Sequence, residues 1–100
     1  MFRSDDFVAR YGGEEFAILL PGIGLRKSLS RAQSFCRLLS LKQFMVDALR
    51  PDERICFTVS IGVSELQRDD TPEAFIDRAD KALYKAKRTG KNRAVSEKEI

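Results

Sequence analysis

The sequence predicts a single α+β domain, and three local patterns support that fold class. Two glycines lie between β-prone runs near the N-terminus. Apolar residues recur with a helical period over about 25–40, and a capped helix is indicated over about 72–89. One hundred residues suffice for one domain with one modest core. The predicted order is strand, strand, helix, short strand, strand, helix, strand.

A β-hairpin is predicted over 7–20. Gly12 and Gly13 lie between a short β-prone run and the apolar run 15–20. Glycine readily adopts the positive φ that a type I′ turn requires. The apolar run is nearly continuous, as expected for a strand covered on both faces, and Pro21 ends it.

Two carboxylates, Glu14 and Glu15, follow the glycines directly. Carboxylate oxygens bind divalent cations, and such a cation could bridge to a phosphate. The absence of Cβ atoms at Gly12 and Gly13 would also let a ligand approach the backbone closely. The local sequence leaves two interpretations open: a solvated hairpin tip or a nucleotide–metal site.

The amphipathic pattern over about 25–40 predicts the first helix. Beyond Ser40 the sequence leaves two alternatives, because the helical period could continue to Leu49 or a short strand could form over 44–46 before a turn at 50–53. The apolar stripe of this helix consists of Leu25, Leu29, Ala32, Phe35, Cys36 and Leu39.

A central strand is predicted over about 55–64, because that segment is rich in β-branched and aromatic residues. An edge strand is predicted over about 92–95, followed by a frayed tail over 96–100.

The second helix, about 72–89, has clear signals at both ends. Thr71 is the predicted N-cap, Pro72 suits the first helical position, and Gly90 suits the position after the C-cap. Its predicted buried stripe consists of Phe75, Ala79, Ala82, Leu83 and Ala86.

Composition excludes several function classes. The chain has no histidine, which rules out histidine-based acid–base catalysis and His-ligated zinc within it. Cys36 and Cys56 lack metal-ligand spacing and are predicted to be small buried hydrophobes in a reducing compartment. No apolar run approaches 18 residues, and the N-terminus shows no signal-peptide pattern.

The net charge of +3 is unevenly distributed. A cluster of cations near the C-terminus favours a phosphate-bearing partner, although a solvated helix end explains part of it. The cluster consists of Lys81, Lys85, Lys87, Arg88, Lys91 and Arg93.

Three stretches together resemble the GGDEF family of diguanylate cyclases. They are RYGGEEF at 10–16, TVSIGV at 58–63 and ADKALYKAKRTGKNR at 79–93, and their order and spacing make the resemblance specific over nearly the whole chain. The signature reads GGEEF rather than GGDEF, an exchange that active family members also use. The resemblance implies a ferredoxin-like, nucleotidyl-cyclase palm fold, in which helices back an antiparallel sheet.

The implied reaction condenses two GTP molecules into cyclic di-GMP across a homodimer, with Mg²⁺ or Mn²⁺ as the cofactor. By resemblance, Glu14 is a metal ligand and catalytic residue, and Glu15 is a catalytic residue that supports the metal or a neighbouring lysine. Gly12 and Gly13 would let the nucleotide lie against the turn.

The resemblance also assigns residues at both ends of the chain. Lys87 and Lys91 match the family's contacts to the terminal phosphates. The alternative interpretation is that these lysines only stabilise the C-terminal end of the helix through its dipole. Arg3 and Asp6 fit the R-x-x-D pattern of an inhibitory cyclic di-GMP site, ahead of the turn at the family's spacing. A local surface ion pair is the alternative for that second pair.

The family's first strand and first two helices have no counterpart in this sequence. By resemblance they supply a second metal-binding aspartate, a phosphate-binding lysine and the residues that read guanine. We therefore expect the 100-residue chain to be inactive alone and to associate through strand edges left unpaired.

Two other functions are alternatives to the cyclase. A non-catalytic cyclic di-GMP-binding or dimerisation module of a signalling protein would use the turn only structurally. An RNA-recognition module would need an aromatic strand pattern that is absent, so no nucleic-acid partner is predicted. The resemblance further implies a cytoplasmic location, no direct membrane contact, and an upstream sensor or receiver domain.

Overall fold

The computed structural model describes residues 7–12, 15–45, 48–50 and 52–100. Strands and helices follow one another in an α+β order, and the chain ends in a short 3₁₀ turn. The elements are β1 (Phe7–Gly12), β2 (Glu15–Leu19), α1 (Leu25–Leu41), β3 (Phe44–Met45), β4 (Arg54–Ile55), β5 (Ser60–Val63), α2 (Pro72–Arg88), β6 (Arg93–Ser96) and the 3₁₀ turn Glu97–Glu99.

The described strands form three separate two-stranded ladders. β1 pairs with β2, and β3 pairs with β4, both antiparallel. β5 and β6 are parallel instead, with Ser60 opposite Arg93 and Val63 opposite Ser96. The antiparallel arrangement expected from the sequence therefore does not extend to this pair. The reason is that α2 connects β5 to β6 as a crossover, which brings the second strand back in the same direction.

The single strand predicted over 55–64 is divided in the structure. Ile55 in β4 lies opposite Phe44, whereas Ser60 in β5 lies opposite Arg93, and the intervening residues form no ladder. The aromatic ring of Phe57 stacks on that of Phe44, with centroids 4.9 Å apart, so this segment belongs to the β3–β4 hairpin. The run therefore forms two short strands with separate partners, β4 with β3 and β5 with β6.

Of the two alternatives beyond Ser40, the structure contains the short strand. α1 ends at Leu41, and the backbone N–H of Lys42 donates to the carbonyl of Leu39 at 3.2 Å. The extended conformation of Lys42 then leads into β3. Val46, the last residue of the predicted strand, lies outside the described residues.

The C-terminal tail is ordered rather than frayed. Ser96 is buried and forms a capping box with the 3₁₀ turn: its side chain accepts from the N–H of Lys98, and its own N–H donates to Glu99 Oε1 at 3.2 Å. The prediction of a free tail over 96–100 was wrong because these local bonds fix it.

The core lies between α2 and the β5–β6 ladder and is built from small side chains. Ala82, Ala86 and Val95 form the buried cluster. At Gly62 the helix approaches the strand so closely that a Cβ atom would lie 2.0 Å from the Ala79 carbonyl oxygen. The sequence needs glycine here because the two backbones touch.

The two cysteines have different environments. Cys36 is buried in α1 and its thiol donates to the carbonyl of Val59 at 3.5 Å. Burial raises the pKa of this thiol above its usual value. Cys56 is exposed, so the prediction of two buried cysteines was wrong for it.

Strand β2 is poorly covered. Phe16, Ile18 and Leu19 of β2 are 64%, 43% and 48% exposed, although Ile18 and Leu19 point to opposite faces. The prediction of a strand covered on both faces was therefore wrong for the part of β2 that the structure describes. The radius of gyration, 15.0 Å, accordingly exceeds the value of about 13 Å typical of a compact domain of this length.

Both helices are amphipathic, and each spans 17 residues. Within the described part of the chain, neither is long and apolar enough to cross a membrane.

Candidate functional site

The glycine–glutamate segment of the signature lies between β1 and β2 in the chain. Gly12 is the last residue of β1 and lies opposite Glu15, the first residue of β2. The register of the ladder shifts between Arg10 and Gly12, so the strand is irregular just before the turn. Gly13 and Glu14 lie outside the described residues.

Glu15 is exposed, and its negative charge affects the pKa of Asp80 in α2. The pKa of Asp80, on the exposed side of α2, is raised mainly by desolvation, then by the negative charge of Glu15 and that of Asp77. The first residue of β2 therefore adds negative charge at the middle of α2. Two carboxylates from separate elements therefore share one region of negative potential.

Sequence reasoning did not single out Asp80. The signal that could have found it is its place in the ADKALYKAK stretch, seven residues before Lys87. Seven residues of helix span about 10 Å, two turns, so Asp80 and Lys87 lie on the same side of α2.

Lys87 and Lys91 lie at the C-terminal end of α2, and both are exposed. The helix ends in a Schellman-type turn, in which the N–H of Lys91 donates to the carbonyl of Ala86 at 2.9 Å. Gly90 has a φ of +129°, and Lys91 itself has a φ of +60°. The turn holds the second lysine beside the helix end, where the negative pole of the helix dipole favours cations.

The start of α2 is also fixed as the sequence predicted. The Thr71 hydroxyl accepts from the N–H of Ala74 at 3.1 Å, with Pro72 in the first turn. The capped N-terminus fixes where α2 begins, and Asp80 and Lys87 follow at fixed positions along the helix.

An ion-pair network centred on Arg78 joins α2 to a segment of the chain that precedes it and to one that follows it. The guanidinium donates to Asp70 at 2.5 and 2.7 Å, to Glu97 at 2.5 Å and to the carbonyl of Glu65 at 2.8 Å. Hydrogen bonds from Arg78 lower the pKa of Asp70 to about 2, and the two carboxylates raise that of Arg78. Both carboxylate side chains are more than nine-tenths buried.

The structure places only some of the residues that the sequence assigned. Gly12 and Glu15 lie opposite each other at one end of the β1–β2 ladder, whereas Lys87 lies in the last turn of α2 and Lys91 just after it. Arg3 and Asp6 lie outside the described residues, as do Gly13 and Glu14. Among the residues that are described, no group of three or more acidic or cysteine side chains is arranged to hold a metal ion.

Comparison with known sequences gives one consistent family. The family model described as "Diguanylate cyclase, GGDEF domain" matches residues 1–93. Diguanylate cyclase A of Treponema denticola is 36% identical over 97 residues, which are 96% of this chain and 25% of that protein. Response regulator PleD of Caulobacter vibrioides is 40% identical over 94 residues, 93% of this chain and 20% of that protein.

Solved structures agree with the sequence comparison. The GGDEF domain of DgcB from Caulobacter crescentus, solved in complex with c-di-GMP, has a TM-score of 0.84 at 30% identity and covers 95% of this chain. The active GGEEF domain of a diguanylate cyclase from Vibrio cholerae has a TM-score of 0.71 at 32% identity and covers 91%. These likenesses confirm the predicted α+β fold class.

The chain is shorter than the proteins it matches. It spans a quarter or less of the two curated relatives, and 53% and 55% of the two solved chains.

Proposed function

This chain belongs to the GGDEF family, and we propose that it forms part of a domain that condenses two molecules of GTP into cyclic di-GMP. In each half-reaction the 3′-hydroxyl of one GTP attacks the α-phosphate of the other. A new P–O ester bond forms, the bond between the α- and β-phosphates breaks, pyrophosphate leaves, and the hydroxyl proton passes to a base. The observation that carries the proposal is the match of the GGDEF-domain model to residues 1–93, which include the GGEEF signature and both lysines at the end of α2.

In this proposal the hairpin holds the nucleotide and its metal. Gly12 and Gly13 let the nucleotide approach the backbone, since neither has a Cβ atom. Glu14 ligates the metal and takes part in removing the hydroxyl proton, and Glu15 supports the site from the start of β2.

The donor set of the hairpin suits a hard divalent cation. Mg²⁺, or Mn²⁺, is typically bound by one or two carboxylates together with substrate phosphate oxygens, so a three-carboxylate cluster is not required. Glu14 would hold the ion, with Glu15 beside it. When bound, the ion would neutralise charge on the phosphates and make the hydroxyl more acidic.

Lys87 and Lys91 would bind the terminal phosphates. Phosphoryl transfer depends mainly on positioning and on neutralising negative charge, and exposed ammonium groups at a fixed helix end supply both. Asp80 lies about two turns before Lys87 on the same side of α2.

The wider setting follows from the family. We propose a homodimer in which each partner holds one GTP, an upstream sensor or receiver domain that controls the pairing, and a cytoplasmic location without direct membrane contact. Arg3 and Asp6 are proposed to bind cyclic di-GMP as an inhibitor.

A second candidate function is a non-catalytic receptor or dimerisation module. It is favoured by the R-x-x-D pattern ahead of the turn, which needs no catalysis to bind cyclic di-GMP. Isothermal titration distinguishes the two functions, since a receptor binds cyclic di-GMP and does not consume GTP.

The catalytic role of the hairpin is tested by assaying product from GTP with a polypeptide extended upstream of Met1. We expect Glu14→Gln to lower turnover by about 10²-fold or more, because an amide is a poor metal ligand and cannot act as a base. The matched control is Glu73→Gln, at an exposed position in the first turn of α2. Normal turnover by Glu14→Gln would remove the role given to Glu14.

The same assay tests the 100 residues by themselves. We propose that they do not convert GTP, because the second metal-binding aspartate and the guanine-reading residues implied by the family have no counterpart in the sequence. Sustained turnover by this chain alone would refute that.

A further inference from the structure

The turn between α2 and β6 contains two consecutive residues with a left-handed backbone. Lys91 has a φ of +60° and Asn92 a φ of +48°, and in the part of the chain that the structure describes they are the only residues besides glycine with a positive φ. Asparagine adopts this conformation fairly often, whereas lysine rarely does, because its Cβ atom crowds the following carbonyl oxygen. A lysine keeps such a conformation only where the surrounding contacts hold it.

The side chain of Arg93 makes one of these contacts. Its Nε–H donates to the carbonyl oxygen of Lys91 at 3.2 Å. Arg93 is the first residue of β6 and lies opposite Ser60 in the parallel ladder, so its side chain reaches back to the turn from a fixed backbone. The N–H of Lys91 donates to the carbonyl oxygen of Ala86 at 2.9 Å. Lys91 is therefore held at its N–H by α2 and at its carbonyl by Arg93.

Gly90 makes room for the guanidinium of Arg93. A Cβ atom at position 90 would lie 2.6 Å from Nη2 of Arg93 and 3.2 Å from its Cζ atom. The guanidinium therefore lies against the backbone of the turn, in the space that a side chain at position 90 would occupy. This close contact and the φ of +129° both require glycine there.

The cations at this end of α2 have no acidic partner within the described part of the chain. The ion pairs found there involve Arg50, Arg78 and Lys81, and none of them includes Lys87, Lys91 or Arg93. Cations without a carboxylate partner are available to a ligand that carries phosphate. How Lys91 is held therefore affects how such a ligand binds.

From these contacts we infer that Arg93 is a positioning residue for Lys91, and that it holds the left-handed turn from which the Lys91 ammonium binds the terminal phosphates of GTP. The identity of the ligand rests on the proposed function, whereas the support that Arg93 gives to the turn does not. Arg93 acts through its Nε–H rather than through its charge. Without that hydrogen bond, Lys91 leaves the left-handed region and its ammonium is displaced, so GTP binds more weakly while the chemical step is little changed.

The first experiment measures the support of the turn without GTP. Urea denaturation of the 100-residue chain gives the unfolding equilibrium constants of the parent, Arg93→Met, Lys91→Gly and the double variant. Glycine accepts a positive φ without crowding, so Lys91→Gly removes the need for support at this position. We expect Arg93→Met to raise the unfolding constant at least about fivefold in the parent chain and less than about twofold in Lys91→Gly.

The second experiment measures steady-state kinetics of the upstream-extended polypeptide with GTP and Mg²⁺. Arg93→Met is expected to raise KM about fivefold and to change kcat less than about twofold. Arg93→Lys keeps the charge but has a carbon atom in place of Nε, so it should raise KM to a similar extent. The matched control is Arg68→Met, at an exposed position in the loop before the opposite end of α2. It should change KM and the unfolding constant less than about twofold.

Two results would overturn the inference. Equal effects of Arg93→Met in the parent chain and in Lys91→Gly would mean that the arginine stabilises the fold without acting on Lys91. An unchanged KM for Arg93→Lys, with a raised KM for Arg93→Met, would make Arg93 a direct phosphate ligand through its charge. If the extended polypeptide makes no product from GTP, the proposed function fails, and the four unfolding constants still decide whether Arg93 supports the turn.

Discussion

At the scale of residues, long-range charge pairs join α2 to the segments before and after it. Arg78 joins Asp70, before the helix, to Glu97, after β6. Sequence reasoning found the local caps at Thr71 and Gly90 because a cap depends on neighbours three or four positions away. It missed the Arg78 network because the partners are 8 and 19 positions distant and nothing in the local pattern connects them.

The Arg78 network predicts an acid-sensitive contribution to stability. The pKa of Asp70 is held near 2, below the ordinary value of 3.8, so its ionised form stabilises the folded state. That contribution is complete above the ordinary pKa and is lost as the pH falls from about 4 toward 2. The thermal midpoint of the parent protein should therefore fall more steeply over this range than that of Asp70→Asn.

Circular dichroism at several pH values measures those midpoints. Asp77→Asn is the control. Both side chains of the ion pair between Asp77 and Lys81 are exposed, so this pair contributes little to the stability of the fold. At neutral pH only Asp70→Asn should melt at a clearly lower temperature. Parallel pH curves for the parent and Asp70→Asn would contradict the account.

The cysteines give a second prediction for individual residues. Cys56 is exposed, whereas Cys36 is buried and its pKa is raised, so less of it is thiolate. With a chromogenic disulfide reagent under native conditions, Cys56 should react at least about tenfold faster than Cys36. Cys56→Ser and Cys36→Ser assign the two phases. A single phase covering both thiols at one rate would show that Cys36 is accessible.

At the scale of elements, the approach of α2 to β5 sets the position of the candidate site. The sequence predicted both helices closely, because their apolar stripes and end residues are local. It did not predict the division of the strand over 55–64 or the parallel pairing of β6, because both depend on which distant strand becomes the partner. Gly62 is the residue at which the two elements meet.

Replacing Gly62 tests that contact. In Gly62→Ala the new methyl would lie 2.0 Å from the Ala79 carbonyl oxygen and 2.4 Å from the Leu83 nitrogen, so backbone must move. We expect a loss of about 1–3 kcal/mol in the free energy of unfolding, measured by urea denaturation.

The control for this variant is Gly24→Ala at the start of α1. Its methyl would meet only the flexible side chain of Glu65, at 3.1 Å, so the loss should be smaller. Equal losses for the two variants would mean that α2 does not depend on close contact with β5.

At the scale of the whole molecule, the elements form an open arrangement. The β1–β2 ladder has no hydrogen-bonded neighbour among the described strands, and β2 exposes apolar residues on both faces. Exposed apolar strand faces favour association, in line with the homodimer proposed for the reaction. Residue patterns predicted the hairpin itself, but exposure could not be read from them because it depends on what lies against the strand.

The central claim is that the domain containing this chain joins two GTP molecules into one cyclic product. The most direct measurement is the product balance of the upstream-extended polypeptide with GTP and Mg²⁺, by liquid chromatography with mass detection and a pyrophosphate assay. The account predicts cyclic di-GMP and two pyrophosphates for each molecule formed. Consumption of GTP to GDP and phosphate, or binding of cyclic di-GMP with no consumption of GTP, would contradict it.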